Sequence, residues 1–235
     1  MENQIDNYLD NHYIHKSNWL RAAVLGANDG ILSTSSLAIG IAAASEFRAP
    51  IVLATLAGLV AGALSMAAGE YVSVSSQTDI EHADIEREKI ELEEVPELEL
   101  QRLASIYEER GLKKETALLV AKELTAHDAL GAHVRDELGI TEISQANPLQ
   151  AAVASGVAFT VGGILPLLVT VFFPVHNMEY FLYVLAILFL GILGAVAAKT
   201  GGSSVTKAVL RVTFWGTIAM VLTALVGHLF GVQLA

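Results

Sequence analysis

The chain alternates long apolar runs with one long polar block that has helical spacing. Five runs reach or approach the roughly 20 helical residues that cross a hydrocarbon core. They lie at residues 20–45, 51–74, 149–173, 180–198 and 209–232. Because the apolar residues form continuous runs and not amphipathic stripes, the pattern predicts an all-α, polytopic membrane protein with five transmembrane helices.

The polar block at residues 79–142 separates the second run from the third. It holds 18 Asp/Glu against 8 Lys/Arg, so it carries −10 of the formal net charge of −11. Pro96 and Gly111 divide it into three helices, which end near 94, span 97–110 and span 113–138. The sequence thus predicts a lead-in with two spans at 1–78, an acidic helical domain at 79–147, and three spans at 148–235.

Basic residues near the membrane ends predict the orientation. They lie at the start of the first run and around the connection between the fourth and fifth runs, whereas the loops on the other side hold only Arg48. The basic residues on the first side are Lys16, Arg21, Lys199, Lys207 and Arg211. The positive-inside rule therefore puts the N-terminus and the acidic domain in the cytosol. No targeting segment is recognisable, which favours a bacterial plasma membrane.

The amino-acid composition restricts which cofactors and metal sites this protein can have. Mean hydropathy is +0.52 and cysteine is absent, which excludes disulfides, iron–sulfur clusters and thiolate metal sites. The glycine-rich stretch at 199–204 follows no strand and lacks a phosphate-binding spacing, so it does not indicate a nucleotide site. We expect no permanently bound cofactor and no nucleic-acid partner.

Two of the apolar runs contain side chains that suit an ion pathway. Asp29 lies in the first run, and Met66 and Glu70 stand one helical turn apart in the second. A charge at the bilayer centre costs about 2.5–3.5 kcal/mol on insertion scales, so it normally faces a cavity or a partner. The alternative to a pathway role for Asp29 is a hydrated position near the membrane interface. The alternative for Met66 is a purely structural packing role. If the first two helices pair, all three become candidate ligands.

The acidic domain carries candidate metal ligands on each of its helices. The first helix has four acids at steps of three or four on one face, and the third has two Glu/His pairs four residues apart. The candidates are Glu81, Asp84, Glu88, Glu91, Glu99, Glu123, His127, His133 and Glu137. A solvated acidic face is the alternative. Carboxylates with one or two imidazoles suit Fe²⁺, Mn²⁺ or, less selectively, Zn²⁺.

Three stretches resemble the vacuolar iron transporter family. They are GANDG, SMAAGEYVSVSSQTDIE and EREKIELEEVPELELQRLASIYEERGL, and the likeness runs from about Asn18 to the C-terminus. The resemblance implies a homodimer of five-helix subunits that moves Fe²⁺, often also Mn²⁺, out of the cytosol in exchange for protons. It also implies that the cytosolic helices gather metal before a passage between the two subunits.

The same resemblance assigns residues by position. Asp29 and Met66 match the intramembrane metal contacts of the family, while Glu88, Glu91, Glu99 and Glu137 match acids of its cytosolic domain. The chain departs from the family pattern at three places: Gly58 and Arg102 stand where a glutamate is expected, and His133-Val134 replaces a methionine pair. We expect Glu70 to compensate for Gly58, and His133 to supply an imidazole in place of a thioether.

Three functions compete for these residues. The first is a divalent metal/proton antiporter, and the second is a membrane-anchored metal sensor or buffer without transport. The third, an iron-oxidising enzyme of ferritin type, requires Glu-x-x-His pairs on bundle helices. No such pair occurs in the sequence, so we do not expect an enzyme.

Overall fold

A computed structural model describes residues 17–140 and 147–231, and every regular element in these ranges is helical. The lead-in predicted at 1–16 lies outside the described residues. The α-helices are α1 Ser17–Ala44, α2 Arg48–Glu94, α3 Pro96–Glu109, α4 Lys114–Asp136, α5 Pro148–Phe172, α6 Met178–Thr200 and α7 Val205–Gly231, with a 3-10 turn at Val175–Asn177. The all-α prediction is confirmed.

Each predicted apolar run corresponds to one helix. Four helices are long and apolar enough to cross a membrane, namely α2, α5, α6 with its preceding turn, and α7. Helix α1 has 28 residues but is less apolar, because Asn28, Asp29 and the hydroxyl residues at 33–36 dilute its hydrophobic run. Membrane-spanning character is therefore supported, while the fifth span stays a prediction.

The chain forms two compact units. One comprises residues 1–71 and 148–235, and the other comprises residues 72–147. We call them the apolar unit and the acidic unit. Helix α2 contributes residues to both.

In the apolar unit, α1 is the central helix and packs against α5, α6 and α7. Glycines permit its close contact with α5, since a Cβ on Gly26 would come within 2.5 Å of the carbonyl oxygen of Ser155. Gly162 on α5 likewise faces the backbone of Ala27. Gly30 faces the backbone of Phe159 on α5 in the same way, as small residues do where membrane helices approach closely. Because other helices surround α1, it can carry polar side chains that lipid would not tolerate.

Arg48 has a structural role at the end of α5. Its guanidinium donates hydrogen bonds of 2.7 Å to the carbonyl oxygens of Thr170 and Phe173. These carbonyls belong to the last turn and following residue of α5, where helical acceptors have no intrahelical partner. A cation there also complements the negative end of the helix dipole.

The acidic unit is built on the packing of α3 against α4. Helix α3 starts with Pro96 in its first turn, which confirms the predicted break after residue 94. Leu103 and Ala121 are fully buried between the two helices. At the far end, Asp136 accepts hydrogen bonds from Tyr107 at 2.8 Å and from Arg110 at 2.7 Å, which ties the helices together.

Helix α4 is kinked at Asp128, whose φ of −159° and ψ of 90° are not helical. The Asp128 carboxylate accepts a hydrogen bond of 3.0 Å from the Gly131 N–H, as an N-cap does for a new helical turn. The helix predicted at 113–138 is therefore present at 114–136 but interrupted at residue 128. After the kink, Ala132 and His133 are the buried residues.

Candidate metal sites

Four side chains in the acidic unit converge on one point. Glu88 comes from α2, Glu99 from α3, and His133 and Glu137 from the end of α4. Each can offer one ligand atom, and these atoms all lie within 4.8 Å of one another. The unit thus brings together four of the nine ligands predicted for this domain.

His133 lies at the centre of this cluster. Its Nδ1 is 2.9 Å from a carboxylate oxygen of Glu88, 3.1 Å from one of Glu137 and 3.9 Å from one of Glu99. The ring is fully buried, and its Nε2 has no hydrogen-bond partner among the described residues. A buried polar atom without a partner costs about 1–3 kcal/mol, so a ligand on this nitrogen would be stabilising.

The carboxylates of the cluster are crowded and desolvated. Glu88 is 3% exposed and Glu99 is 2% exposed. Burial raises the pKa of Glu88, and the nearby carboxylate of Glu137 raises it further, whereas His133 opposes the rise. A divalent cation would remove this repulsion because it stabilises the charged form of each acid.

Arg102, which stands where the family resemblance leads us to expect a glutamate, contacts the cluster. Its guanidinium contacts Glu137 and lies 3.7 Å from Glu91 and 3.9 Å from Glu99. One positive side chain therefore partly neutralises three of the predicted ligands. The sequence showed that an arginine replaces the expected glutamate at position 102. It did not show that this arginine bridges three acids, because the acids come from three different helices.

The remaining predicted ligands of the acidic unit lie apart from this cluster. Glu81 accepts a hydrogen bond of 2.9 Å from Gln77, and Glu91 is paired with Arg87 at 2.8 Å. Asp84, Glu123 and His127 are exposed to solvent. The kink at residue 128 lies between the two Glu/His pairs of α4, which explains why only the second pair points inward.

A second polar site lies within the apolar unit. A cavity of about 430 Å³ is lined by Asp29 from α1, by Met66 and Glu70 from α2, and by Phe159 from α5. All three predicted pathway residues therefore face one space. The cavity offers two carboxylates and a thioether, a combination that suits Fe²⁺ or Mn²⁺ with one softer ligand.

Glycines on α2 create part of this cavity. A Cβ on Gly62 would collide with the ring of Phe159, whereas one on Gly69 would meet nothing within 4 Å. Gly58 also lines the space, and a Cβ there would collide with the Leu37 side chain, so a larger residue would displace that leucine.

Hydroxyl residues of the lining were not among the predicted site residues. Ser33 and Thr34 line the cavity beside Asp29. The Oγ1 of Thr34 is buried without a hydrogen-bond partner among the described residues, while Ser33 donates to the Asp29 carbonyl at 2.6 Å. The available signal was spacing, since Ser33 follows Asp29 by one helical turn.

Comparisons with known proteins agree with the motifs. The profile of the VIT family matches residues 20–228. The chain is 46% identical over 217 residues to a protein named vacuolar iron transporter from Acanthamoeba castellanii, covering 90% of this chain and 78% of that protein. It is 35% identical over 212 residues to vacuolar iron transporter homolog 2 from Arabidopsis thaliana, covering 90% and 84%.

A third relative shows the same extent of similarity. Vacuolar iron transporter homolog 1 from Oryza sativa subsp. japonica is 36% identical over 223 residues, covering 94% of this chain and 78% of that protein. The profile and all three relatives span both the apolar and the acidic units, as the motifs predicted. The chain therefore belongs to the VIT family, the vacuolar iron transporter family that its motifs resemble.

Proposed function

We propose that this protein exports Fe²⁺, with Mn²⁺ as a second substrate, from the cytosol in exchange for protons. Relatives named iron transporters support metal transport, and membership of a transporter family makes the protein a transporter and not an enzyme. The observation that carries the proposal is the cavity lined jointly by Asp29, Met66 and Glu70. Ionisable side chains between apolar helices are costly and therefore rare, and where they occur they commonly mark an ion pathway.

Exchange with protons follows from the chemistry of these carboxylates. A carboxylate holds a metal ion only when it is deprotonated, so proton binding and metal binding compete. Protons entering from the outer side would displace the cation from Asp29 and Glu70. The cation would leave on that side, and the protons would return to the cytosol.

The acidic unit supplies metal to this pathway in our proposal. The cluster of Glu88, Glu99, His133 and Glu137 binds the cation, and Zn²⁺ is a competing ligand because the site contains an imidazole. The other acidic side chains of the unit raise the local concentration of cations. We propose that this unit lies in the cytosol, inserted between the second and third of five spans, with α1 as the first span.

A homodimer would complete the passage. Part of α2 is not covered by the other described residues: Leu53 is 69% exposed and Leu64 is 67% exposed. A second copy packed on this face would shield it and close the cavity beside it. The bacterial plasma membrane predicted from the sequence has no support among the relatives described above, whose names are vacuolar.

The alternative is a membrane-anchored sensor or buffer, in which the acidic unit alone binds metal. Replacing residues 78–147 with a short linker distinguishes the two functions. A transporter keeps a slower flux through the remaining cavity, whereas a sensor loses its only activity.

The direct test uses proteoliposomes that contain an internal pH dye and receive Fe²⁺ or Mn²⁺. We expect metal uptake coupled to a proton signal, and we expect Asp29→Ala to abolish both. Glu46→Ala is the matched control, since Glu46 is an exposed acid of the same unit outside the cavity. Parental flux in the Asp29 variant would refute the pathway, and metal flux without a proton signal would refute exchange.

A further inference from the structure

We propose that a basic cavity between α1, α6 and α7 binds the phosphate headgroup of an anionic phospholipid. The cavity has a volume of about 380 Å³. Its polar lining consists of Arg21 and Asn28 from α1, Ser203 before α7, and Arg211 from α7. None of these residues lines the cavity that contains Asp29, so the lipid site is separate from the proposed ion pathway.

The two arginines of this cavity differ from the others that the structure describes. Five arginines bond to a carbonyl or a carboxylate, and they are Arg48, Arg87, Arg102, Arg110 and Arg135. Within the described ranges, Arg21 and Arg211 make no ion pair and no hydrogen bond, and both line this one cavity. No carboxylate lies among the described lining residues.

Phosphate oxygens match this arrangement. A guanidinium binds phosphate through two parallel N–H donors, and that charge-assisted pairing is among the stronger hydrogen-bonding arrangements. Two guanidinium groups with no counter-ion among the described residues line this cavity together with an amide and a hydroxyl, and this set of donors suits one phosphate anion.

The remaining lining favours a lipid over a free phosphate ion. Leu25, Leu193 and Val212 line the same cavity, together with several alanines. A small anion would leave these apolar side chains unused. A phospholipid would place its phosphate on the arginines and its acyl chains along the apolar wall, which accounts for both halves of the cavity.

The charge of this end of the apolar unit agrees with the assignment. Lys199 and Lys207 flank the cavity in sequence, and the positive-inside rule predicts a cytosolic location for the α6–α7 connection. Cytoplasmic leaflets carry anionic lipids, which attract each nearby basic residue by about 1 kcal/mol. A lipid bound here would hold α1 against α6 and α7.

Native mass spectrometry of the full-length protein tests the proposal. The protein in detergent is titrated with phosphatidylglycerol, with phosphatidylcholine, and with inorganic phosphate. We expect the parent to retain phosphatidylglycerol in preference to phosphatidylcholine, and the R21Q/R211Q variant to bind it about tenfold more weakly or worse. The control is K113Q/K114Q, which removes two exposed charges from the acidic unit and should bind as the parent does.

Two results would overturn the proposal. One is equal phosphatidylglycerol binding by R21Q/R211Q and the parent. The other is full displacement of the lipid by inorganic phosphate at an equal concentration, which would make this a small-anion site. The single variants R21Q and R211Q each keep one arginine, so they provide the same comparison if the double variant does not fold.

Discussion

The Nδ1 of His133 lies 2.9 Å from a carboxylate oxygen of Glu88, although the two residues stand on different helices. Neither helix alone supplies this pair of ligands, because α2 contributes the carboxylate of Glu88 and α4 contributes the imidazole of His133. Both side chains are buried, at 0% and 3% exposure. Their contact is the core of the proposed cation site.

Replacing His133 with leucine should weaken metal binding while the acids remain. The imidazole is the only nitrogen ligand of the cluster, so we expect the dissociation constant for Zn²⁺ or Mn²⁺ to rise roughly tenfold or more. Isothermal titration calorimetry of the full-length protein measures this change. His127→Leu is the control, because His127 is exposed and outside the cluster. Equal weakening by both variants would contradict the site.

Replacing Arg102 with glutamine should strengthen metal binding. Its guanidinium competes with a cation for Glu99 and Glu137, and its removal leaves their charge uncompensated. We expect an affinity gain on the order of tenfold and a lower melting temperature without metal. Arg87→Gln is the control, since Arg87 pairs only with Glu91. A loss of affinity in the Arg102 variant would show that Arg102 does not compete with the cation.

The Asp136 network should make stability depend on pH. Burial alone would raise the pKa of Asp136, but hydrogen bonds from Arg110, Tyr107 and Arg135 hold it below its ordinary value. A lowered folded-state pKa means that the stabilisation is present above the unfolded-state pKa, near about 4, and is lost as pH falls through the folded-state value.

The variant Asp136→Asn tests this dependence by chemical denaturation at pH 7 and at pH 3. We expect it to unfold about 1 kcal/mol more easily at pH 7, a small value because Arg110 and Arg135 are half exposed to solvent. The difference from the parent should shrink at pH 3. A difference that does not change with pH would rule out this network as its source.

The stability change caused by adding a methyl group to the cavity that contains Asp29 should depend on which glycine is replaced. Gly62→Ala forces its new methyl group against the ring of Phe159, and such overpacking costs about 1–3 kcal/mol. Gly69→Ala meets open space in the same cavity and should stabilise the helix by about 0.5–1 kcal/mol. Melting temperatures and metal flux of the two variants provide the comparison. Equal loss in both would show that the contact with Phe159 does not matter.

Local signals predicted the helices and their ends. The apolar runs correspond to α1, α2, α5, α6 and α7, and Pro96 ends one helix and begins the next, because these features act within a few residues. The family was also predictable, since its motifs are continuous stretches of sequence. Asp29, Met66 and Glu70, which line one cavity, could be singled out because charge and sulfur are conspicuous in apolar runs.

Tertiary packing decided the rest. Spacing showed that Gly26 would allow a close helix, but only the fold identified that helix as α5. The kink at Asp128 turned His133 inward, and the folding of three helices together brought Arg102 onto acids that are far apart in sequence. The physical reason is range: propensity, breaks and hydropathy are local properties, whereas a ligand set and its counter-charge depend on which helices meet.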